Sequence, residues 1–154
     1  MQFRRIGQLV AATTVSAVAL SGAQAVAQEN KTTISVTNIT DIHGHLEDKI
    51  GDPAKAGDEI GVARLQTLIK QVNEGQEFNL TSSGDNVGGS AFVSAISDDK
   101  YTLEALNQMG MKVSAVGNHE FDKGTEDLTE RIQPNSTYPI LGANVVKDGE
   151  LLLK

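Results

Sequence analysis

Apolar and polar side chains largely alternate over residues 33–39, where Ile34, Val36 and Ile39 are set among Thr33, Ser35, Thr37 and Asn38. A period of two with many β-branched residues predicts a strand. From Asp58 the period lengthens. Ile60, Ala63, Leu65, Leu68, Ile69 and Val72 recur at helical spacing, with Gly75 as a stop. A second strand is predicted from Phe78 to Thr81, then a glycine-rich turn over 82–90 and a short helix over 91–96. Asp98 or Asp99 caps a further helix through Leu103, Leu106 and Met109 to Gly110. Val113 to Val116 forms a third strand. Thr125 caps a helix over 126–132, which ends before Pro134, and 138–145 is a fourth strand. Asp148 and Gly149 mark a hairpin between Val146 and Leu151. Strands alternating with helices predict an α/β fold, with a mostly parallel sheet flanked by helices.

The first 27 residues are read apart from that domain. Arg4 and Arg5 precede an apolar, small-residue stretch from Leu9 to Leu20, and Ala25, Val26 and Ala27 fit a cleavage site. About a dozen apolar residues are too few to span a bilayer, which takes roughly 20. The expected organisation is a signal peptide over 1–27 and a domain over 28–154, exported by the general route. Localisation is then secreted, periplasmic or wall-associated. Losing the leader would move the net charge from −7 to −9, because Glu29 is the first acidic residue. Such a surface disfavours nucleic-acid polymers and anionic membranes as partners. It admits a phosphate substrate wherever bound cations reverse the local field. Without cysteine there is neither disulfide nor thiolate ligand. Asn-x-Ser/Thr triplets begin at Asn30, Asn38, Asn79 and Asn135. Two of them fall in strands expected to be buried, so glycosylation is not inferred.

The candidate chemistry lies just beyond three predicted strands. Asp41 and His43 follow the first, Gly84, Asp85 and Asn86 the second, and Gly117, Asn118, His119, Glu120, Phe121 and Asp122 the third. Taken singly, Asp-x-His or Gly-Asp at a strand end is more often a polar turn. Together, the groups would meet at the carboxyl edge of one sheet. In extended chain Asp41 and His43 would point to the same side. Carboxylate, imidazole and amide oxygen suit divalent zinc, manganese, iron or cobalt. Asp122, three residues beyond His119, could accept that ring's second N–H and fix its orientation. Glu120 is read as a supporting residue, and His45 as a solvated or neighbouring one. Rival motifs fail: Lys123 stands where a zinc-protease histidine would be, no Gly-Lys-Ser/Thr follows the glycines, and no serine has a nucleophile-elbow pattern.

Residues 40–45, 83–86 and 117–122 resemble the first three motif blocks of the calcineurin-like metallophosphatases. The nearest likeness is to their exported 5′-nucleotidase, UDP-sugar hydrolase and 2′,3′-cyclic-nucleotide phosphodiesterase branch. Residues 60–65 and 140–145 resemble that branch's first helix and following strand. The resemblance implies a metal-dependent phosphoester hydrolase acting on nucleotides, with two divalent ions and a metal-activated water. Asp41 and His43 would bind the first ion, Asp85 would bridge both, and Asn118 would bind the second and lie near the substrate phosphate. His119, oriented by Asp122, would assist the leaving group.

The resemblance also implies a four-layer α/β sandwich with a second sheet, a downstream nucleoside-binding domain, and a lone histidine and a Gly-His-x-His block as further ligands. The histidines here are at 43, 45 and 119 only. The expectation is therefore a partial sandwich, an amino-terminal portion truncated before its second half and inactive alone. A non-catalytic, exported binder of nucleotide or metal is the alternative.

Overall fold

The computed structural model describes residues 32–153. The leader assigned to residues 1–27 and the triplet at Asn30 lie outside them. No helix among the described residues is long and apolar enough to cross a membrane.

Four parallel strands, β1 (Val36–Ile39), β2 (Asn79–Ser82), β3 (Val113–Ala115) and β4 (Ile140–Leu141), lie side by side in chain order. Helix α1 (Gly61–Val72) joins the first two, and α2 (Phe92–Ala95) and α3 (Lys100–Met109) join the next two. A helical run from Thr125 to Asn135 leads to β4. Its middle, Leu128–Ile132, is π-helical, between an α turn α4 (Thr125–Asp127) and a last turn α5 (Gln133–Asn135). The predicted hairpin is present as β5 (Val146–Lys147) and β6 (Glu150–Leu151). Asp148 and Gly149 both take positive φ between them, as a tight two-residue turn requires.

Parallel strands in the order 1-2-3-4 with crossovers of the usual right hand would put the helices of the described residues on one face of the sheet. Burial agrees. Leu80, Ser82, Ser114 and Ile140 on that face are buried, while Asn79, Ala115 and Leu141 between them are exposed. The core gathers Ile69, Leu80, Leu103, Leu106, Leu128, Ile132 and Ile140. From α1, Ile69 enters the core and Val62 and Leu65 pack against it, whereas Leu68 and Val72 face solvent. Asn38 and Asn79 lie in strands as expected, but on the uncovered face, where both are exposed.

Other local expectations shift. Pro134 falls inside the last helical turn rather than after it, because the wider π segment before it relieves the clash its ring would make in a regular α-helix. Asp99 precedes α3 with φ +61 and makes no capping bond, its carboxylate being used elsewhere. Gly124, not Thr125, holds the N-cap position of α4. The fourth strand shrinks to two residues, since beyond Leu141 the chain turns through Gly142, whose backbone runs against Val116 and Leu153. Leu153 is itself buried in the core and Leu152 packs against it, whereas Leu151 is exposed.

Candidate metal centre

β1 stops at Ile39, yet its ladder with the second strand's extension continues through the candidate ligands. Asp41 N–H donates to Gly84 O at 3.1 Å and His43 N–H to Asp85 O at 3.2 Å. Asp41, His43 and Asp85 all take positive φ, at +55°, +43° and +55°. This left-handed region is sparsely populated by residues other than glycine and costs on the order of 1–2 kcal/mol each. The convergence thus comes from strained turns, not from the extended alternation that the sequence predicts. Strain of this kind persists only where surrounding structure holds it.

The three side chains bring one ligand atom each within 4.8 Å of one another. His43 Nε2 lies 3.7 Å from Asp41 Oδ1. The opposite ring nitrogen, Nδ1, is 2.8 Å from Gly88 O. A carbonyl can only accept, so Nδ1 carries the proton, and Nε2 is the nitrogen turned toward the cluster, free to act as a ligand whenever it bears no proton. Thr40 donates its hydroxyl to Asp41 Oδ2. Two carboxylates and a correctly oriented imidazole form a donor set suited to a divalent cation of borderline hardness.

The third loop closes over Asp85. His119 N–H donates to Asp85 Oδ1 at 2.9 Å, and the His119 ring stands edge-on to His43, 4.7 Å between centroids at 86°. His119 Nδ1 donates to Asp122 Oδ2 at 3.0 Å. The Asp122 carboxylate raises His119 above its ordinary value of 6.5, and its own value is lowered by the same bond. Asn118 is exposed between Gly117 and His119, and its carbonyl starts the 3₁₀ turn His119–Phe121. His45 instead bonds Glu59, which also takes Lys49, on the loop over residues 45–59.

Supporting residues appear whose partners the sequence left open, Glu120 among them as read from the sequence. Glu120, 2% exposed, accepts backbone N–H bonds from Asp85, Asn86 and Gly117 at 3.0, 2.8 and 2.6 Å, and a longer one from Val87 at 3.4 Å. Buried Asn86 links Ser82 on β2 to Ser114 on β3. Buried Asp99 accepts Gly88 N–H and the Ser94 hydroxyl. The available sequence signal was the density of Gly, Asp and Asn after strand two. Which carboxylate meets which N–H was not encoded locally. A cavity of about 130 Å³ opens beside His119 and Asp122. Arg131 on its wall is held by Asp127 at 2.5 and 2.6 Å, so that guanidinium is committed to an internal pair.

Gly117 has no room for a side chain, because a Cβ there would sit 2.1 Å from Asp85 Oδ1. Gly117→Ala is expected to displace that carboxylate and weaken zinc binding about tenfold or more, read by isothermal titration, in the range of lost supporting contacts. Unchanged affinity would show that Asp85 is not a ligand.

The family model for calcineurin-like phosphoesterases matches residues 34–152. The 5′-nucleotidase of Rattus norvegicus is 32% identical over 124 residues, which cover 77% of this chain and 21% of that protein. That of Bos taurus is 29% identical over 126 residues, covering 79% and 22%. The cell wall protein Lmo0130 of Listeria monocytogenes is 30% identical over 167 aligned positions, covering 92% and 21%. The chain thus spans about a fifth of the length of these relatives. The structure of Haemophilus influenzae NAD nucleotidase superposes with a TM-score of 0.61 at 22% identity, over 75% of this chain and 21% of that one, a likeness of fold.

Proposed function

This chain belongs to the calcineurin-like phosphoesterase family, and from that premise we propose that it is the amino-terminal part of an exported, dinuclear metal-dependent phosphoesterase acting on nucleotides. The convergence of Asp41, His43 and Asp85 within 4.8 Å, beside the His119–Asp122 pair, is the observation that carries the reading. The donor set fits the divalent ions that the family implies. Asp41 and His43 would hold the first ion, Asp85 would be shared with a second, and Asn118 would serve the second ion and the phosphate. When bound, such a pair acidifies a water and neutralises charge on the phosphoryl oxygens. His119 hands a proton from Nε2 to the leaving oxygen, with its ring held by Asp122. Further ligands come from a longer polypeptide, and these 154 residues alone turn over little or no substrate. The nucleotidase names of the relatives support the substrate class, and the leader-like start and the cell wall relative support export.

The test is phosphate release from nucleoside monophosphates, with manganese or zinc and with chelator, by this chain and by its full-length product. Metal-dependent release by the full-length product supports the reading. Metal binding without release by that product supports the non-catalytic alternative, and robust turnover by the 154 residues alone removes the fragment proposal.

In the metal-free chain the His119 ring is expected to titrate above 6.5, and lower in Asp122→Asn. Proton NMR of the ring C–H signals reads this directly. The sign follows from a raised histidine value and a lowered carboxylate value: the pair's contribution to stability is lost as pH rises from 6.5 through the raised His119 value, and lost again in acid as Asp122 protonates. A midpoint at or below 6.5 would remove the electrostatic half of the pair.

A further inference from the structure

We infer that the peptide unit joining Gly88 to Gly89 couples Asp122 to His43, so that Asp122 is a positioning residue for the first metal ligand as well as for His119. The inference rests on His43 being a ligand, as proposed above.

One carboxylate oxygen carries both links. Asp122 Oδ2 accepts the His119 Nδ1 proton at 3.0 Å and the Gly89 N–H at 2.8 Å. The Gly89 N–H and the Gly88 C=O are opposite ends of one planar amide. That carbonyl accepts the His43 Nδ1 proton at 2.8 Å, and the Ser90 hydroxyl more weakly at 3.3 Å. A negative charge on the N–H end of an amide strengthens its oxygen as an acceptor, as in any polarised chain of hydrogen bonds. A stronger acceptor holds the proton on Nδ1 and leaves Nε2 bare toward Asp41 and Asp85.

The geometry of the amide is held from a second side. Asp99, 4% exposed, accepts the Gly88 N–H at 3.2 Å, so carboxylates from two different segments grip consecutive N–H groups. Only glycine fits here. Gly88 and Gly89 have φ of +79° and +52°, and a Cβ on Gly88 would lie 2.1 Å from His119 O. A Cβ on Gly89 would press on the His119 ring at 3.0 Å.

Asp122 has a second route to His43, through the edge-on contact of the two rings. The experiment separates the routes. Long-range ¹⁵N–¹H NMR of the metal-free chain reports which His43 nitrogen bears the proton, and isothermal titration with zinc reports affinity. Asp122→Ala is expected to shift the His43 proton partly to Nε2 and to weaken zinc about 10- to 100-fold. Asp122→Asn keeps an acceptor oxygen and the side-chain volume but not the charge, so it restores the Nδ1–H form only in part, between Asp122→Ala and the wild type. His119→Ala breaks the ring contact but not the amide link, and leaves His43 and zinc affinity within about twofold.

An unchanged His43 tautomer in Asp122→Ala overturns the coupling, as does a His119→Ala loss matching that of Asp122→Ala. If the full-length product takes up no zinc, the ligand reading fails, while the tautomer measurement still decides the coupling.

Discussion

His119→Ala is expected to lower phosphoester turnover by the full-length protein about 10²–10⁴-fold, the range for removing a placed general acid or base. Metal content should stay near that of the wild type. The ring's Nδ1 is committed to Asp122, which leaves Nε2 as the nitrogen available to the reaction. His119 reaches the ligand cluster through its backbone N–H on Asp85, a bond that alanine keeps. Activity and metal content therefore separate, which a purely structural role for the ring would not produce. The loss should lie in kcat more than in KM, because proton transfer matters in the transition state. Loss of metal with normal turnover per bound ion would reassign His119 as a ligand.

Glu120→Ala is expected to be the most destabilising single change near the site, at about 3 kcal/mol or more in urea unfolding. The Glu120 carboxylate gathers N–H groups from two loops, at Asp85–Asn86 and at Gly117, that are far apart in sequence. An orphaned buried donor costs about 1–3 kcal/mol, and these do not add fully because water can reach some of them. Glu120→Gln fills the same volume but turns an amide NH₂ toward donors, so it should recover only part of the loss. Zinc affinity should fall with stability, since the same bonds fix the backbone of Asp85 and Gly117. A loss under about 1 kcal/mol would show that solvent replaces the carboxylate and that the two loops hold each other by other means.

The sequence made the main elements legible where the signal is local. The 3.6-residue spacing of apolar positions located α1 and α3 to within a few residues, and Asp148 with Gly149 marked the hairpin turn. It was less informative where tertiary context overrides local preference. Residues 138–145 look strand-like, yet only Ile140 and Leu141 find a ladder partner on β3. Pro134 looks like a stop, but the widened turn before it absorbs the ring. Asp99 looks like a cap, but two donors elsewhere, Gly88 N–H and the Ser94 hydroxyl, claim its carboxylate.

By itself, then, the sequence determined which chemical groups are present and that they follow strand ends, because hydrophobic period and ligand type are properties of short segments. It also determined the α/β class. Tertiary structure alone decided that Asp41, His43 and Asp85 meet through left-handed turns, and which face of the sheet is buried. It alone decided that Glu120, Asp99 and Asp122 each close on particular backbone N–H groups. Those bonds join residues up to 35 positions apart. Their partners are backbone amides, which every residue but proline carries, so the identity of the side chains does not reveal which amides will be met.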